Sequence, residues 1–118
     1  MMGIPLNRLD GRIVAFVTEV LGGIGDPRTL YALPISEEMP DGTIIPGDLV
    51  IVRRQEEANE GDICLLYRRD KEQVLVRRIY RESGQVRLES INPGLAPEYS
   101  DPEDVVVQGR PVLMLRLI

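Results

Sequence analysis

Short apolar runs, each cut off by turn-forming residues, constrain this chain more than any other feature. TLYALPI (29–35), DLVIVRR (48–54), DICLLYRR (62–69), QVLVRRIY (73–80) and QVRLESI (85–91) are all of strand length. Glycine, proline, asparagine or aspartate punctuates them, the pattern expected of consecutive strands. QVRLESI also alternates apolar with polar, as a strand with one wet face should. Asp70-Lys71-Glu72 reads as a hairpin tip between two of the runs. NPGLAPEYSDPED (92–104) contains three prolines and reads as a loop. VVVQGRPVLMLRLI (105–118) predicts two closing strands with a break at Gly109-Pro111.

One run fits two patterns. In RIVAFVTEVL (12–21) and just before it, Leu9, Ile13, Phe16 and Val20 fall at helical spacing. Three valines and Thr18 are stiff at χ1 and favour a strand, so a strand is predicted there. The expected architecture is therefore a mainly β domain of several twisted, mostly antiparallel strands. It would occupy residues 1–118 as a single unit, with a divergent opening over 1–27 and a core over 28–118.

Composition narrows the chemistry. With 118 residues, 43% hydrophobic and 28% charged, the chain can bury a real core. The net charge of −5 argues against a nucleic-acid surface as its main business. No direct DNA binding by this chain is expected. There is no histidine, which removes Ser-His and Cys-His mechanisms. Cys64 is the single cysteine, so neither an intrachain disulfide nor a thiolate metal cluster is expected, and no cofactor is implied. Cys64 sits between Ile63 and Leu65 and reads as a small buried hydrophobe. No window is apolar enough for a membrane span and the N-terminus lacks a signal-peptide core, so a cytoplasmic location is expected.

The most informative stretch is SEEMPDGTIIPGDLVIV (36–52). Met39, GDLVIV (47–52), EGDICLLYRR (60–69), VLVRR (74–78), VRLESINPG (86–94) and VVVQGRPVLMLR (105–116) occur in this order. Together they resemble the self-cleaving domain of LexA-type repressors and their UmuD relatives, and more distantly the signal-peptidase fold. In that family a serine just before the methionine attacks a peptide bond, and a lysine on the strand after the hairpin takes its proton. Here the resemblance puts Glu38 at the serine position and Arg77 at the lysine position. A glutamate offers no hydroxyl to acylate. An arginine keeps its proton at physiological pH and is no general base.

The resemblance therefore implies an inactive, pseudo-peptidase site with no catalytic residues. A half-buried arginine on an apolar strand needs a partner, so Glu38 and Arg77 are expected to form a charged pair, the alternative being a Glu38 that lies in solvent and touches nothing. Glu38, Met39 and Arg77 are the expected binding residues. Ser36 is the rival nucleophile, but it stands two residues early, and Lys71 on the hairpin tip is a poor base in solvent. Asp41-Gly42 and Asn92-Pro93-Gly94 read as turns, and Asp48 as the cap of its own turn. The family cuts itself at a small residue–Gly bond shortly before a proline. The nearest match, Ile24-Gly25-Asp26-Pro27, has a β-branched residue at the cleavage position and lies close to Glu38.

A homodimer is expected through the closing strand, with Val112, Met114, Arg116 and Ile118 at the interface, because a long apolar terminal edge invites pairing. The function implied is a dimerisation or protein-binding module in transcriptional regulation or a stress response of the SOS type, with a peptide or protein in the former substrate groove. Two alternatives remain: an active self-processing peptidase built on Ser36, and a structural β-domain of a larger assembly.

Overall fold

A computed structural model of the chain describes residues 3–22 and 27–116. Among the described residues eight strands form one sheet: β1 (Ile4–Pro5), β2 (Leu30–Pro34), β3 (Leu49–Arg54), β4 (Ile63–Arg68), β5 (Gln73–Glu82), β6 (Gln85–Glu89), β7 (Glu98–Ser100) and β8 (Val105–Leu115). Their order across the sheet is β1-β2-β3-β8-β4-β5-β6-β7, and every pairing is antiparallel. The mainly β, antiparallel expectation holds.

Alternation explains the layering. On β4, Leu65 packs with Met39, Ile44, Val50, Val52 and Val76, whereas Cys64 and Leu66 pack on the other face with Leu75, Ile79, Val86 and Leu88. Successive side chains of a strand point to opposite faces, so a run apolar at every position is buried on both. Burial pushes the Cys64 thiol up to about 11, with the nearby Asp62 adding to the shift, which suits an inert core residue.

The run 12–21 is not a strand. Gly11–Val20 is an α-helix, α1, and the β-branched composition loses to its boundary residues. Asp10 caps the N-terminus, its carboxylate accepting the Arg12 N–H at 2.8 Å. Such a cap contributes about 1 kcal/mol. Gly22, at φ +62°, takes the left-handed position that ends the helix, and its N–H reaches the Glu19 carbonyl. Between those stops Val17 and Leu21 are buried, with Leu9 and Val14 beside them, against Leu6, Leu30, Ala32 and Ile51. The stripe that matters is thus 9/14/17/21. The positions used to weigh the helix, Ile13, Phe16 and Val20, lie on its exposed side.

The closing segment also departs from expectation. Residues 105–115 make one strand rather than two, and β8 lies inside the sheet rather than at its edge. It pairs with β4 through Val105–Gly109 and with β3 through Gly109–Leu115. Two register shifts let it do both: Gln108 is extra opposite β4, and Val112 is extra opposite β3. Pro111, which has no N–H to give, sits beside the second bulge. At the crossover a side chain on Gly109 would meet the Arg53 carbonyl and a Val52 methyl at 2.5 Å, so only glycine fits. The 92–104 loop contains the short strand β7 and a 3-10 turn at Pro102–Asp104.

Candidate functional site

The site is built on the loop that joins β2 to β3. Its ends are clamped by Ile35 N–H to the Asp48 carbonyl and Gly47 N–H to the Ile35 carbonyl, at 2.9 and 3.0 Å. Inside the loop, Met39 N–H bonds the Ile44 carbonyl, and Gly42 N–H bonds the Met39 carbonyl, closing a tight Pro40-Asp41 turn. Gly42 adopts φ +73°, a left-handed conformation natural to glycine. Met39 is buried in the core and fixes the loop.

The turn hands Asp41 inward. Its carboxylate accepts the Thr43 N–H and hydroxyl at 3.2 and 2.7 Å, the Ser90 hydroxyl at 2.7 Å and Arg77 Nη1 at 3.0 Å. Arg77, opposite Cys64 on β5, gives the same nitrogen to the Val76 carbonyl. The Arg77 and Asp41 side chains are 4% and 1% exposed, a buried ion pair. Burial works against the Asp41 carboxylate, but the Ser90 and Thr43 hydrogen bonds and the Arg77 charge together hold it below the ordinary carboxylate range. Ser90 Oγ also accepts the Asn92 N–H, and Asn92 takes the Gly94 N–H, so the Asn92-Pro93-Gly94 turn is tied to the same centre.

Arg77 is therefore buried and paired, but with Asp41 and not with Glu38. Glu38 is exposed and forms no ion pair among the described residues. The physical reason is reach from a fixed base. The turn pre-orders Asp41, whereas Glu38 sits ahead of the buried Met39 and faces out. Asp41 and Ser90 were missed as site residues. Their signal lay in the Pro-Asp-Gly-Thr turn, because an aspartate two residues before a threonine on a tight turn is an acceptor already in place. Arg78 points away and donates to the Gly61 carbonyl.

A second aspartate anchors the far end of the loop. Asp48 accepts the Ile45 N–H, as a turn cap should, and also grips Arg116 of the chain's last segment through two bonds of 2.7 and 2.6 Å. The Arg116 and Ile45 hydrogen bonds bring the Asp48 carboxyl down to about 2. Arg116, expected at a dimer interface, is thus engaged within the chain.

Between the loop and the start of β5 runs an open cleft of about 310 Å³. Leu33, Ile35, Met39 and Val74 supply its apolar lining, and Ser36, Glu37, Glu38 and Glu72 its polar one. Ser36 is exposed and makes no hydrogen bond among the described residues, and Lys71 is exposed in the turn beyond β4. Ile24-Gly25-Asp26 and Ile118 lie outside the described residues. Among the described residues no group of acidic, histidine or cysteine side chains is arranged to hold a metal, and no helix is long and apolar enough to cross a membrane.

A loop clamped at both ends over the β-sheet thus faces a charged residue buried on β5. The family model described as Peptidase S24-like matches residues 9–112. The chain belongs to the S24-like peptidase family. The S24-like domain is 35% identical over 115 residues to a LexA repressor of Novosphingobium aromaticivorans, covering 97% of this chain and 47% of that protein. A LexA repressor of Roseiflexus sp. is 38% identical over 90 residues, covering 75% of this chain and 41% of that protein. One from Zymomonas mobilis is 34% identical over 115 residues, covering 97% and 51%. The chain spans about half the length of these relatives.

Proposed function

We propose that this S24-like domain is a pseudo-peptidase that holds an extended peptide without cutting it and serves a regulator as a pairing and protein-binding module. The observation that carries the reading is the Arg77–Asp41 pair. The resemblance puts a lysine at position 77, and a lysine there would have to lose its proton to act as a base. A guanidinium fixed by a buried carboxylate and a backbone carbonyl has no such role. Glu38, at the position of the nucleophile, contributes a carboxylate in place of a hydroxyl. Ser36 has no basic partner within hydrogen-bond reach among the described residues.

The cleft keeps the features that bind a peptide. Residues 73–77 of β5 pair with β4 on one side only, since β6 begins pairing at Arg78. The backbone of 36–38 forms no main-chain hydrogen bond among the described residues. Residues 36–38 and the Gln73-Val74 end of that flank therefore border the cleft with main chain open to strand addition.

Self-pairing of the domain is proposed on narrower ground than an edge strand. The 110–115 part of β8 pairs with β3 alone, so its other flank is open, and Met114 is 40% exposed there. Val112 and Met114 are the interface residues on that flank. Arg116 is held by Asp48 at its margin. The repressor name of the relatives extends to this chain only as part of this proposal, as control of transcription by the protein that contains the domain.

Prolonged incubation at alkaline pH tests the reading, because a Ser-Lys site gains activity as its lysine deprotonates. The expected result is an intact chain with no residue labelled by a serine-reactive phosphonate. Fragments, or label on Ser36, would establish an active peptidase instead.

A further inference from the structure

The cleft carries a sign as well as a shape. Glu37, Glu38 and Glu72 stand on its rim, all exposed, and none forms an ion pair among the described residues. No arginine or lysine lines it. Lys71 stands on the turn next to Glu72 but outside the lining, and the buried cation Arg77 on β5 is already paired with Asp41. The floor formed by Leu33, Ile35, Met39 and Val74 is apolar. An occupant lying along the open flank of 73–77 alternates its side chains between that floor and the rim. The five-residue flank accommodates about 17 Å of extended chain.

We infer that the cleft selects an extended peptide in which small apolar residues alternate with lysine or arginine. The inference rests on the proposed peptide-holding role of the same cleft. The apolar positions settle on the floor and the cations meet the three rim carboxylates. Main-chain bonds to the 73–77 flank supply affinity that does not depend on sequence, and the rim supplies the discrimination. An acidic peptide of the same length meets three like charges and is rejected.

The test uses the full chain and three fluorescein-labelled hexapeptides, with valine alternating with lysine, glutamine or glutamate, followed by fluorescence anisotropy at about 0.15 M salt. The lysine peptide is expected to bind about tenfold tighter than the glutamine peptide, from three exposed pairs each contributing a fewfold. The glutamate peptide should bind weakest. In the triple variant Glu37→Gln, Glu38→Gln, Glu72→Gln the lysine preference over the glutamine peptide should fall to about twofold. Equal affinity for all three peptides would leave the cleft a peptide holder and overturn the selection by charge. A lysine preference that survives in the triple variant would place the selecting charges elsewhere and overturn the inference. Binding of none of the peptides would remove the peptide-holding role itself, and the inference with it.

Discussion

Two aspartate–arginine pairs fasten the β2–β3 loop, and they differ in how much water they see. Asp41–Arg77 is dark on both sides, whereas Asp48 is buried against an Arg116 side chain that is 41% exposed. The first pair sits in the middle of the loop and joins it to β5 and to the 90–94 turn. The second sits at the loop's end and joins it to the chain's last segment. Burial makes a pair costly to break but gives it little net worth over a well-packed apolar substitute; exposure leaves the remaining partner able to hydrate. The inner pair therefore specifies geometry, and the outer one acts as a clip.

Removing one partner of the inner pair should have the largest effect. Asp41→Ala leaves Arg77 charged and unpaired, and denaturant unfolding should show a loss of about 3–5 kcal/mol. If the pair specifies geometry and adds little net stability, Asp41→Leu combined with Arg77→Met should recover most of that loss. A double variant as unstable as Asp41→Ala alone would break the contrast between the two pairs. Ser90→Ala removes a single hydroxyl donor from the same carboxylate and should cost about 1 kcal/mol by the same measurement.

The smallest effect concerns the clip and appears only in acid. Asp48 has a folded-state pKa near 2, below its ordinary value of 3.8, so its contribution is fully present above about pH 4 and is lost as pH falls through about 2. Asp41 is lowered as well and loses its contribution below its own ordinary value, on the same side. Asp48→Asn should therefore flatten the fall in stability between pH 4 and 2 while leaving part of it, the share that belongs to Asp41. An unchanged acid profile would show that the Arg116 clip contributes nothing.

These two pairs also mark how far the sequence could be read. The strands were legible because each run is apolar at strand length and stops at a turn residue; β4 and β5 fell where the Asp70-Lys71-Glu72 tip placed them. Helix α1 was misread because side-chain propensity was weighed and the boundaries were not. Asp10 in front and Gly22 behind were both visible, and they decide the matter. That Arg77 needs a buried partner followed from its place on an apolar strand. Its identity did not, because the turn geometry that turns Asp41 inward and leaves Glu38 outside depends on Met39 being sunk in the core. The interior position of β8 was not legible either, since the order of strands depends on pairings between residues far apart in the chain.

That interior position has a consequence for how the protein is made. Among the described residues β1 to β3 form one ribbon and β4 to β7 another, and β8, which follows both in chain order, joins them. Until Val105–Leu115 is in place, β3 and β4 each present a bare inner margin. Closing the sheet is therefore the slow, long-range step expected of high contact order.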